Sequence, residues 1–153
     1  AMAAAPIKTD APRLSRANSH RRWLVAELGM RRKVGGTYDE VLAKLPELLK
    51  AEGFGVLTDI DVKDTLKKKI NADFRRYRIL GACNPKLAHE ALQMEDKIGT
   101  MLPCNVVVQD TPDGKVEVSA IDPVASMMAI ENPRLADVAK TVQSKLKAVI
   151  DGL

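Results

Sequence analysis

The stretch that decides the fold is Phe74–Leu92, "FRRYRILGACNPKLAHEAL". Its first half alternates. Arg76 and Arg78 fall on one side, with Tyr77 and Ile79 on the other, which is the period of a strand. At Asn84-Pro85 the pattern changes. Asparagine caps a helix by accepting a first-turn amide, and proline supplies the fixed φ of the first helical position. A helix over about 85–96 follows. The same device recurs at Asp122-Pro123 and Asn132-Pro133 and predicts helices over 123–130 and 133–151. The last carries Leu135, Val138, Ala139, Val142, Leu146, Val149 and Ile150 along one side, a core-facing stripe.

Working outward, Thr37 and Glu40 form a capping-box pattern. Val41, Leu42, Leu45, Leu48 and Leu49 then recur at helical spacing, and Gly53 suits the residue past the helix end. Pro46 sits inside this pattern, and a kink or break is expected there. "FGVLTDIDV" reads as a strand with Val56, Thr58 and Ile60 on one face and Leu57, Asp59 and Asp61 on the other. Asp61 caps a short helix through Leu66 and Ile70, closed by Asn71. "NVVVQD" and "KVEVSAID" flank the turn signal "TPDG" and form a hairpin. Glu117 and Ser119 alternate with Val116, Val118 and Ala120, so the sheet has one wet face. The sum is an α+β domain, a mostly antiparallel sheet with helices packed on one side.

Residues 1–18 have no apolar period, and the N-terminal 28 residues read as a basic, flexible extension. Between Ser19 and Arg32, a short helix with Trp23, Leu24 and Leu28 on one side and a first strand through "LGMRRKVGG" both fit. Residues 1–33 hold eight basic and two acidic side chains, a net +6, while the remainder is −2. The basic character therefore belongs to the N-terminal segment, which argues against a nucleic-acid-binding body. No apolar run approaches the roughly 20 residues of a membrane helix. "HRRWLV" at 20–25 carries a twin arginine, but the polar "AELGMRRK" after it is no export-signal core. Two cysteines without a scaffold pattern fit a reducing compartment, so the expected location is cytoplasmic.

"EGFGVLTDIDVKDTLKKKI", "YRILGACNPKLAHEAL", "IGTMLPCNVVV" and "VEVSAIDP", in this order, resemble the family called domain of unknown function 302 over roughly residues 29–153. The resemblance implies a TATA-binding-protein-like fold of strand, helix, four strands and helix, often dimeric. It places the 85–96 helix as an extra element between two sheet strands. The family has no agreed activity or cofactor. Pro46 and the basic extension depart from its usual pattern.

The candidate chemistry centres on Cys83 and Cys104, each followed by an asparagine, Asn84 and Asn105. If the strands that carry them run parallel, the two cysteines lie at opposite sheet edges, about 17 Å apart. If antiparallel, as the resemblance implies, they meet at one edge, and a redox pair, a sulfur carrier or a soft-metal site becomes geometrically open. The competing reading is two buried structural thiols. Cys83 precedes a helix start, where partial positive charge favours a thiolate. His89 and Tyr77 are weaker members of the same candidate site. His89 has no zinc-motif spacing, because neither cysteine forms a CxxC pair. Asp59 and Asp61 point the same way, but solvent exposure and the Asp61 cap account for them. Lys63, Lys67–Lys69, Arg75, Arg76 and Arg78 interleave with Phe74 and Tyr77, a pattern shared by solvated faces and single-strand binders. No glycine-rich phosphate loop, GxSxG or HExxH occurs. The expectation is a ligand-binding or thiol- and sulfur-handling module, a homodimer and no conventional enzyme. The alternative is a non-catalytic dimeric adaptor whose basic extension docks on an acidic protein.

Overall fold

The computed structural model describes residues 29–153, so the readings made on 1–28 lie outside the described residues. The elements are β1 (Gly29–Val34), α1 (Tyr38–Ala51), β2 (Gly55–Asp61), α2 (Val62–Ile70), β3 (Tyr77–Cys83), α3 (Pro85–Met94), a 3-10 turn (Asp96–Met101), β4 (Cys104–Asp110), β5 (Val116–Ile121), α4 (Pro123–Ser126) and α5 (Pro133–Asp151). The five strands form one sheet in the order β1-β5-β4-β3-β2. Every neighbouring pair is antiparallel. The fold is α+β, as expected, with α3 inserted between β3 and β4.

Alternation decides which sheet face is covered. Val106 and Val108 of β4, Val116, Val118 and Ala120 of β5, and Leu80 and Ala82 of β3 are buried. They face α1, through Val41, Leu45 and Leu49, and α5, through Val142, Leu146, Val149 and Ile150. The intervening Asn105, Val107 and Gln109 are not buried. Each long helix starts where its cap predicts. Thr37 and Glu40 close a reciprocal capping box, with the Glu40 amide 3.2 Å from Thr37 Oγ1 and the Thr37 amide 2.9 Å from the Glu40 carboxylate. Asn132 accepts from the Arg134 amide and donates from Nδ2 to the Met94 carbonyl, so it fixes the start of α5 against the end of α3. A smaller apolar cluster forms beneath that junction, with Ala91, Ile98 and Leu135 buried and Met94, Met101 and Met127 against them.

Three expectations change. Of the kink or break expected at Pro46, the break does not occur, since the first helix is continuous over Tyr38–Ala51. Leu45 and Leu49, fully buried on either side, hold it against the sheet. A β-bulge between Val56 and Thr58 puts these two residues on opposite faces. Val56 pairs with Ala82 on the helix-covered side, whereas Thr58 and Ile60 pair with Gly81 and Ile79 on the open side. The extra residue in β2 shifts the alternation by one, as bulges do. The helices expected over 85–96 and 123–130 end at Met94 and Ser126, because the chain turns there to bring Asn132 against Met94.

The basic run around β3 is engaged locally. Arg76 holds Asp110 at 2.6 and 3.1 Å, and its guanidinium lies 4.6 Å from the Tyr38 ring centre. Arg78 bridges Asp59 at 2.6 Å and Asp61 at 3.5 Å. Lys67 and Lys68 reach Asp73 and Asp64. Asp61 also caps α2 by accepting from the Asp64 amide, and Asn71 closes that helix in the left-handed region at φ 53°.

Candidate functional site

The site forms where β3 ends and β4 begins. Antiparallel register pairs Ala82 with Cys104, so Cys83 lies one residue past the partner of Cys104. Strict alternation would send the two cysteine side chains to opposite faces. Cys83 is the last residue of its strand, however, and the chain leaves it directly into the Asn84 cap. Both cysteines line one cavity of about 30 Å³, with Ala82, Leu87, Phe54 and Met127 among its other walls.

The walls are almost wholly apolar. The polar exception is Asn84, which is committed elsewhere. Its Oδ1 accepts from the Leu87 amide at 3.3 Å, and its Nδ2 lies 3.5 Å from the Glu52 carbonyl. A water needs two to four polar partners to settle in such a space. Cys83, Cys104 and Met127 are the sulfur-bearing residues of its lining.

Both cysteines are free thiols, Cys83 half-buried and Cys104 buried. Burial pushes the Cys104 thiol up to about 11, with a further contribution from the neighbouring Cys83. Burial raises Cys83 as well. The rise at Cys83 runs opposite to the lowering expected at the start of α3. Burial therefore favours the protonated Cys104 thiol, which makes it a poor nucleophile in this state.

The structure gathers Cys83, Asn84 and Cys104 from the expected set and leaves three residues apart. Asn105 is exposed on the open face, paired with Gly81. His89 is exposed on α3 and does not line the cavity, which that helix meets through Leu87, Ala88 and Ala91. Tyr77 stands at the other end of β3, opposite Gln109, about 20 Å from Cys83 at strand rise. There it packs near Phe74, ring centres 6.0 Å apart, with the Arg75 guanidinium over both rings.

Sequence reasoning missed Met127. It follows α4 and belongs to no motif, and only the packing of α4 and α5 brings it to the cysteines. Met127 also lines a second, open groove of about 440 Å³, together with Val124, Met128, Ile130 and Leu135. Among the described residues, no group of three or more His, Cys, Asp or Glu side chains is placed to hold a metal ion. Among them too, no helix is long and apolar enough to cross a membrane.

The family described as "Domain of unknown function DUF302" matches residues 30–153. Among solved structures, the chain is similar to an uncharacterised conserved DUF302 protein from Bacillus stearothermophilus. The identity is 30%, the TM-score is 0.76, and the alignment covers 81% of this chain and 96% of that one. Nothing among the curated proteins matches.

Proposed function

The chain belongs to the DUF302 family, whose description assigns no activity, and from that premise we propose a small-ligand-binding module with its site at the Cys83–Cys104 cavity. The observation that supports this reading is that two free thiols from adjacent strand ends share one small cavity whose other walls, Asn84 and Met127 apart, are hydrocarbon. Pockets for drug-sized molecules run to about 300–1,000 Å³. A space near 30 Å³ suits a guest of one or a few heavy atoms. The thiols are contact groups in this reading and not nucleophiles, because burial favours their protonated form.

The test is native-state thiol labelling with methyl methanethiosulfonate across sub-denaturing urea concentrations. A ligand pocket predicts that Cys83 is labelled from the native state and Cys104 through a local opening, both with weak urea dependence. If both cysteines are labelled only with the full urea dependence of global unfolding, the cavity is closed packing and the proposal fails.

A further inference from the structure

We infer that the cavity receives a soft monovalent cation of the Cu(I) class, with the sulfurs of Cys83 and Cys104 as inner donors and the Met127 thioether as the donor on the groove side. This rests on the ligand-binding reading above and names its ligand. The first support is the placement of Met127. It lines both the thiol cavity and the open groove, so its side chain belongs to the wall the two spaces share. The second is Met128, which lines the groove and is 80% exposed. Met127 and Met128 thus line the groove, and Met127, Cys83 and Cys104 line the cavity beside it. All four donors are sulfur, and thioether and thiolate sulfur select soft ions such as Cu(I).

Charge and coordination number narrow the choice further. No carboxylate or imidazole lines the small cavity, and its one amide is committed to the cap and to Glu52. When the ion binds, it replaces one thiol proton, which leaves to solvent. A monovalent ion on one thiolate is neutral overall, and burying a neutral unit among apolar walls avoids the large cost of a buried net charge. Zinc asks for four tetrahedral ligands. This cavity offers two thiols and one thioether, which suits the low coordination numbers that soft monovalent ions accept.

The experiment titrates the full, reduced chain anaerobically with Cu(I) held by a coloured chelator, and repeats the titration with Zn²⁺ and a zinc indicator. The expected result is withdrawal of one Cu(I) per chain, with Zn²⁺ left on its indicator. Cys83→Ser and Cys104→Ala should each abolish the withdrawal at the same chelator concentration. Met127→Leu, a volume-conserving change, should weaken it by at least about tenfold, since losing a direct donor costs no less than losing an outer supporting partner, about 10–100-fold. Met128→Leu should slow uptake and leave the stoichiometry at one. Far-ultraviolet circular dichroism confirms that each variant is folded, and Cys83→Ser, at a half-buried position, keeps the test open if Cys104→Ala does not fold. Failure of the wild type to withdraw copper overturns the inference, as does equal withdrawal by Cys83→Ser or preference for Zn²⁺. If the labelling test shows an accessible pocket while copper is not withdrawn, the metal inference falls and the ligand-binding reading stands. If labelling requires global unfolding and copper is not withdrawn, both fall.

Discussion

Gly81→Ala probes the register that carries the site. Gly81 lies between Thr58 of β2 and Asn105 of β4, on the open face and two residues before Cys83. A Cβ built on it comes within 2.6 Å of Pro103 Cγ and closer still to Thr58 Oγ1. Ordinary contacts lie near 3.5–4.0 Å. Something must therefore move. Thr58 is β-branched, with few rotamers open to it, and the Pro103 ring is stiff. Overpacking of this kind costs about 1–3 kcal/mol. Alanine recovers about 0.4–1 kcal/mol by restricting the unfolded chain. The net expectation is a loss of about 1–2 kcal/mol, or a fall of roughly 0.5–1 M in the urea midpoint for a slope near 2 kcal/mol/M. The assay is equilibrium urea denaturation of wild type, Gly81→Ala, Thr58→Ala and the double variant. Removing Oγ1 should lower the cost of Gly81→Ala by about 0.5–1 kcal/mol, with the Pro103 share left. A neutral or stabilising Gly81→Ala, or a cycle with no coupling, would refute the Thr58–Gly81 pairing and the bulge that creates it.

Three further outcomes are expected. Asn84→Ala removes the α3 cap and its contact with Glu52, and should cost about 1 kcal/mol, with faster exchange of the Leu87 amide by hydrogen exchange. Hydrogen bonds from Lys33 and Thr111 hold the exposed Asp113 carboxyl well below the usual carboxylate range. A lowered pKa gives stability that is present above the unfolded value near 4 and is lost as pH falls through the folded value, so acid melting curves of wild type and Asp113→Asn should separate above about pH 4 and converge below it. Arg78→Met breaks the pairs with Asp59 and Asp61, which are largely solvated, and should change the denaturation free energy by less than about 1 kcal/mol.

Much of the fold is legible because its signals are local. The three caps before proline, the Thr37–Glu40 box and the "TPDG" turn each act within a few residues, and each marks an element boundary in the structure. The bulge in β2 was not legible, since nothing in "GVLTDID" announces an extra residue and only pairing with β3 reveals it. The candidate site divides in the same way. The alternation that sorts Arg76 and Arg78 onto one face also separates Cys104 from Asn105, so the loss of Asn105 was implicit in the period of a strand. Tyr77 shares a strand with Cys83 but sits at its far end, a matter of strand length. Met127 depends on how two helices close over the sheet end, which no local pattern encodes.

The central claim is that Cys83 and Cys104 share one cavity, with half-buried Cys83 nearer the solvent. The most direct measurement is the rate of Cys104 labelling in the native protein before and after Cys83 carries a methylthio group. A shared cavity predicts that the added group fills the space and slows Cys104 by at least about tenfold, because a cavity of about 30 Å³ holds little more than one small guest. An unchanged Cys104 rate would contradict the account.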